Sequence, residues 1–390
     1  MKKTNNFAVI NLISLFMNAL LKKIGLPLLC LAALGLSSCT QSKYSYETVP
    51  NDPLQARIYT LDNGLKVYMT VNKDEPRIQT YIAVRVGGKN DPAETTGLAH
   101  YFEHLMFKGT NHFGTMNYEA EKPLLDQIEQ TFEVYRKTTD EAERKAIYHT
   151  IDSLSYEASK YAIPNEYDKL MAAIGANGTN AYTSFDVTCY TEDIPSNEVE
   201  NWAKIQSERF KNCVIRGFHT ELETVYEEKN MSLTRDARKV YEQTLAALFP
   251  HHPYGTQTVL GTQEDLKNPS ITNIKNYFKT WYVPNNMAIC LSGDFDPDQM
   301  IATIDKYFGD MQPNPNLPKL NLPKEADITA PVVREVLGPE AENVTLAWRF
   351  PGAASKELET LQIVSQILYN GQAGLIDLDL TQQQKTLSAY

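Results

Sequence analysis

The stretch Gly97-Leu98-Ala99-His100-Tyr101-Phe102-Glu103-His104-Leu105 holds two histidines four residues apart, with a glutamate just before the second. On a helix, residues three and four apart share a face. His100, Glu103 and His104 therefore fall within an arc of about 100°, and Leu98, Phe102 and Leu105 lie on the opposite side. Two imidazoles so placed can reach one metal ion, with a carboxylate beside its open position. Zinc accepts such nitrogen and oxygen ligands, and its catalytic sites use three protein ligands plus water. With seven histidines in 390 residues, the pattern arises by chance on the order of 0.01 times per chain. Residues 96–108 read as the helix that carries it, stopped by Gly109.

Two histidines need a third ligand. Thr220-Glu221-Leu222-Glu223 has the form of a capping box, so a helix is expected to start there. Glu221 and Glu228 are nearly two turns apart and project from one face. Taken alone, Glu221, Glu223, Glu227 and Glu228 would simply complement the helix dipole and solvate a surface. Beside a histidine helix they become ligand candidates, and spacing leaves both Glu227 and Glu228 open.

The rest of the chain bounds the chemistry. It is 42% hydrophobic and 22% charged, an ordinary globular composition that excludes collagen, coiled coil and wholesale disorder. The net charge is -11, and residues 1–38 contain four lysines and no acid, which leaves the remainder at -15. Such acidity argues against nucleic-acid binding, whose contacts are to phosphate. Five cysteines without a Cys-x-x-Cys pair exclude a disulfide scaffold and disfavour a thiolate zinc site.

Lys22-Lys23, an apolar run from Ile24 to Leu36 and the ending Leu36-Ser37-Ser38-Cys39 describe a secretory signal peptide over residues 1–38. The run is too short to span a bilayer, which takes about 20 apolar residues. Its ending resembles a bacterial lipobox, which makes Cys39 the expected lipidation site and residues 39–55 a tether. Cys189, Cys213 and Cys290 then read as small buried hydrophobes.

Arg57–Thr60 and Leu65–Met69 flank the turn Asp62-Asn63-Gly64 and predict a hairpin. Gln79–Val86 alternates as a strand, and residues 117–160 predict two amphipathic helices broken near Lys137–Asp140. Asn180–Thr191 is β-branched and aromatic, hence a strand. Helices are expected at 196–211, 220–247 and 270–281, and a strand at 287–293. After the Pro/Asn-rich Gln312–Pro323, strands at 331–338 and 343–350 and a helix at 355–369 are expected.

His100-x-x-Glu103-His104, Asn180-Ala181-Tyr182-Thr183 and Glu221-x-x-x-Val225-x-x-Glu228 together resemble the pitrilysin/insulinase family of zinc peptidases. The likeness continues through His252-Pro253-Tyr254-Gly255 and Tyr282-x-Pro284-x-Asn286-Met287, covers about residues 55–310, and resumes weakly to the end. It implies an α+β fold, the insulinase-like roll of a mixed or antiparallel sheet packed with helices. One complete domain at 56–315 is then followed by a linker at 316–324 and the truncated start of a second homologous domain at 325–390. The resemblance further implies one Zn2+ per chain held by His100, His104 and Glu228, with Glu103 as general base and Glu221 supporting a ligand histidine. Asn180, Ala181, Tyr182 and Thr183 map to the family's edge strand, which pairs with substrate backbone by β-augmentation. The 123 residues between His104 and Glu228 exceed the family's usual spacing, and the surplus coincides with the helical segment at about 117–165, read as an inserted hairpin.

The expected function is a zinc-dependent endopeptidase acting on extended or unfolded peptides. Two other readings compete with it. A non-catalytic, chamber-forming partner subunit would usually lack a ligand or the base, whereas all four residues are present here. A lipoprotein with structural zinc would close all four metal positions with protein and seldom keep a spare glutamate such as Glu103. The family's clamshell implies, as partner, either a missing C-terminal half or a second homologous subunit. The signal peptide and lipobox place the protein at a bacterial cell envelope, anchored in the membrane by lipid, with the outer membrane as the expected site.

Overall fold

The computed structural model describes residues 43–390, so the Cys39 lipobox lies outside the described residues. Seven strands make one sheet: β1 (Tyr46–Thr48), β2 (Arg57–Thr60), β3 (Lys66–Val71), β4 (Arg77–Val84), β5 (Asn177–Thr183), β6 (Thr188–Pro195) and β7 (Met287–Gly293). Their spatial order is β1-β2-β3-β7-β4-β6-β5. All neighbours are antiparallel except β3 and β7, which run parallel with Val67 opposite Ile289. The mixed sheet packed with helices is the expected α+β architecture.

Among the described residues there are ten helices of eight or more residues: α1 (Leu98–Leu105), α2 (Tyr118–Lys137), α3 (Glu141–Ser159), α4 (Glu166–Ala173), α5 (Val199–Asn212), α6 (Phe218–Leu233), α7 (Asp236–Leu248), α8 (Ile271–Trp281), α9 (Pro297–Phe308) and α10 (Glu357–Leu368). Strand alternation decides which sheet face they cover. Ile78, Ile82 and Val84 of β4, Tyr190 and Ile194 of β6 and Ile289 of β7 are buried toward the helices. Tyr81 of β4 and Tyr182 of β5 are exposed on the other face. Under the helices, Trp202, Phe210, Phe102 and Tyr282 form the aromatic core, with Phe102 edge-on to Tyr282 at 4.8 Å. Buried Glu192 is satisfied there by Tyr167 at 2.8 Å, Gln206 at 3.0 Å and Thr80 at 3.1 Å.

The first hairpin forms as expected: Thr60 opposes Lys66, and Asn63 in its turn donates to the Phe308 carbonyl at 2.9 Å, tying it to the end of α9. The helical pair α2 and α3 breaks at residues 138–140, as the sequence predicts, and buries Ile128, Phe132 and Ile151. Phe132 packs edge-on against Phe218 of α6 at 4.9 Å.

Several expectations need correction. The strand read over Asn180–Thr191 is two strands, β5 and β6, because Ser184 makes a turn without glycine or proline. Its hydroxyl accepts from the Asp186 and Val187 amides and donates to the Val187 carbonyl at 3.2 Å. The single helix read over 220–247 is α6 and α7, divided at Thr234–Arg235. Its start is not a capping box. Gly217 in the left-handed region (φ 63) is the N-cap, and Thr220 lies inside the helix, donating to the Gly217 carbonyl at 2.9 Å. Tyr46–Thr48, within the supposed tether, pair with β2, and the Tyr46 ring lies 5.3 Å from that of Tyr59. The strands expected at 331–338 and 343–350 do not form. No neighbouring strand is there to pair with them, and Leu337 and Val344 stay exposed. The helix expected after them is α10.

Candidate metal centre

Helix α1 is fixed at both ends. Buried Asp91 accepts from the amides of Gly97 at 2.8 Å and Ala99 at 2.9 Å, so a carboxylate closes the positive end of the helix. Gly97 needs its left-handed φ of 85°, and a Cβ there would sit 2.8 Å from the Leu260 carbonyl oxygen. At the other end, buried Arg209 donates to the Met106 carbonyl at 3.2 Å. Leu98, Phe102 and Leu105 face the core, as their spacing predicts.

On the polar side, α6 runs past α1. The Nε2 atoms of His100 and His104 are 3.3 Å apart, and each lies 3.6 Å from Oε2 of Glu228. These are the residues whose ligand atoms converge as a possible metal set among those described. A tetrahedral zinc with bonds of about 2.0–2.1 Å has ligand–ligand edges of about 3.3–3.4 Å. The observed triangle fits that ion. Glu227, which spacing left open, turns outward and accepts from Asn230 at 3.3 Å.

Behind His104, Glu221 accepts from its Nδ1 at 2.8 Å. An acceptor carboxylate at Nδ1 assigns the ring proton there and leaves Nε2 as a lone pair for a metal. The other Glu221 oxygen is paired with the Lys108 ammonium. Glu103 is buried and its Oε2 accepts from the Thr183 hydroxyl at 2.5 Å.

Burial pushes His100 down to about 3, with the His104 charge adding to the effect. Burial would also lower His104, but the Glu221 hydrogen bond and the Glu228, Glu221 and Glu103 charges leave it raised. Burial raises Glu103, partly offset by the Thr183 hydroxyl and the His104 charge. Burial works to raise Glu221 too, yet its His104 and Lys108 partners hold it below the ordinary carboxylate range. Three carboxylates around two neutral-donor imidazoles make a site whose charge suits a dication.

The predicted substrate residues lie on β5, the edge of the sheet. Asn180 and Tyr182 pair with Thr191 and Cys189 and share the open face, while Ala181 and Thr183 share the helix face with Tyr190 and Thr188. Thr183 thus reaches Glu103, a role for its side chain that the sequence reading did not contain. Lys108 was also missed. The signal available was its spacing, four residues after His104, although α1 itself ends at Leu105.

Two family profiles match the chain. The profile described as insulinase (peptidase family M16) matches residues 66–125, and the peptidase M16 inactive domain matches residues 270–389. Zinc protease PqqE of Helicobacter pylori is 22% identical over 377 residues, 94% of this chain and 70% of that protein. An uncharacterised zinc protease of Mycobacterium leprae is 24% identical over 255 residues, 64% of this chain and 45% of that protein. Human insulin-degrading enzyme is 22% identical over 287 residues, 70% of this chain and 23% of the enzyme. The chain therefore spans less than half the length of the last two relatives. Among solved structures, the periplasmic protease PqqL of Escherichia coli shares the fold at a TM-score of 0.54, with 18% identity over 72% of this chain and 26% of that one. A protease from Helicobacter pylori does so at 0.50, with 21% identity over 72% of this chain and 53% of that one. Both profiles and the shared fold make the chain similar to the insulinase, or M16, family of peptidases.

Proposed function

We propose that this chain is the catalytic part of a zinc-dependent endopeptidase that cuts extended or unfolded peptides. The observation that carries the reading is the 3.3–3.6 Å triangle of His100, His104 and Glu228 ligand atoms with buried Glu103 beside it. The similar proteins named zinc proteases support the choice of metal. One bound zinc would supply Lewis acidity at the site's open position and a nucleophile near neutral pH.

The chain's own residues do the rest. Glu103 takes the proton from the attacking water and returns it to the leaving amine. Burial suits it to that exchange by raising its proton affinity. Thr183 occupies Oε2 and leaves Oε1 for the proton. Glu221 keeps the His104 proton on Nδ1. The free edge of β5 offers unpaired backbone groups to an extended peptide, next to the base. The rest of the chamber comes from further chain or from a second homologous subunit, and the exposed Leu337, Val344 and Leu346 support such a contact. Lipidated Cys39 anchors the protein at a bacterial envelope membrane. Among the described residues no helix is long and apolar enough to cross one.

Glu103→Gln tests the mechanism. Hydrolysis of an unfolded peptide should be abolished while zinc stoichiometry stays at one per chain, since the base is not a ligand. Retained turnover in that variant would refute it. Loss of zinc would instead make Glu103 part of the metal set.

A further inference from the structure

The loop after α1 is held far more firmly than a connection needs. Arg216 makes a buried, bidentate pair with Glu121 at the start of α2, at 2.6 and 2.8 Å. The same guanidinium donates to the Lys108 carbonyl at 2.8 Å and the Thr110 carbonyl at 3.0 Å. Gly109 between them is in the left-handed region at φ 98°, where a Cβ would meet the Phe113 carbonyl oxygen at 2.5 Å. The backbone of Lys108 is thus clamped by Arg216, itself held by Glu121 of the helical hairpin, and its side chain pairs with Glu221.

We propose that Lys108 is a positioning residue for the metal centre, acting through Glu221 on His104; the inference rests on the metal reading above. A carboxylate with one hydrogen bond can turn about its last torsion. Glu221 has two different donors, one on each oxygen: the Lys108 ammonium on Oε2 and the His104 ring on Oε1. With Oε2 pinned, Oε1 is held where it accepts the Nδ1 proton and aims Nε2 at Glu228 and His100. The Glu221 side chain is 11% exposed and that of Lys108 33%, so water competes poorly for the carboxylate while the ammonium keeps a path to solvent.

The test uses the full chain, with zinc affinity measured by chelator competition and apo-protein melting recorded beside it. Removing groups that orient metal ligands typically costs about 10–100-fold in affinity. Lys108→Met should weaken zinc binding by about 10-fold, the low end of that range, with apo melting little changed. Lys108→Arg should restore most of the loss, because a second cation can grip the same oxygen. The double variant Lys108→Met/Glu221→Gln should bind no more weakly than Glu221→Gln alone, since the two act as one unit. Unchanged affinity in Lys108→Met, additive losses in the double variant, or losses that track a lower apo melting temperature would each overturn the inference. Failure of the unsubstituted chain to bind zinc would overturn the metal reading itself, and this inference with it.

Discussion

Replacing Glu121 by glutamine should be among the most costly single changes in the chain. Glu121 is fully buried and Arg216 nearly so, and both oxygens of the carboxylate are engaged. Removing one partner of such a pair leaves an uncompensated buried charge and typically costs about 3–5 kcal/mol. The partly exposed pair between Glu129 and Lys275, with side chains 21% and 44% exposed, provides the control. Its loss should cost at most about 1 kcal/mol. The two glutamates lie on the same helix, so the comparison isolates burial from helix propensity. Urea unfolding followed by tryptophan fluorescence, to which fully buried Trp202 contributes, reads both variants. Replacing the whole pair, as Glu121→Leu with Arg216→Met, removes the stranded charge but also takes the donors from the Lys108 and Thr110 carbonyls. Each acceptor left unsatisfied costs about 1–3 kcal/mol, so the double variant should remain less stable than the unsubstituted chain. If Glu121→Gln costs no more than Glu129→Gln, the clamp is not what holds this loop.

Glu228→Gln should weaken zinc binding at least as much as the roughly 10–100-fold seen when ligand-orienting groups are removed, whereas Glu227→Gln should be nearly silent in the same chelator titration. Asp186, which joins the β5–β6 turn to Lys89 and Tyr254, has its carboxyl held below the ordinary range: burial opposes this, but those two donors outweigh it. A depressed folded pKa contributes stability above the unfolded value that is lost as pH falls through the folded one. The melting difference between Asp186→Asn and the unsubstituted chain should therefore be present at neutral pH and vanish in acid below about 3.8, and a difference that grows in acid would contradict the assignment. Cys39→Ser should move the protein from the membrane to the soluble fraction, and unchanged fractionation and mass would refute lipidation.

The metal-bearing helix was legible because its information is local: three residues in helical register need no knowledge of the rest of the chain. Glu228 was legible only in part, since spacing left Glu227 equal to it, and the packing of α6 against α1 makes the choice. The breaks at Ser184–Val187 and Thr234–Arg235 carry no glycine or proline, and the Ser184 hydroxyl does what a turn residue would do. The expected strands at 331–338 and 343–350 have the right residue types but no neighbour, and a strand is stabilised by its neighbour. Lys108 was missed because its partner Glu221 is on another helix, and its spacing from His104 alone does not reveal that contact.

The placement of β7 has a kinetic consequence. It is the last strand of the sheet to be made, yet it sits between β3 and β4. Until it inserts, β1-β2-β3 and β4-β6-β5 are two separate three-stranded ribbons, each with an inner edge open. About a hundred residues separate the end of β6 from the end of β7, which at about 5–20 residues per second is roughly 5–20 s of synthesis. His100, His104 and Glu228 all emerge before that interval ends, so the ligand set exists in a nascent chain whose floor is still split. Pairing of the two free edges with another chain is the characteristic hazard of that interval. A substitution that disfavours β7 pairing, such as Ile289→Pro, should therefore lower soluble yield although Ile289 is not one of the metal-centre residues.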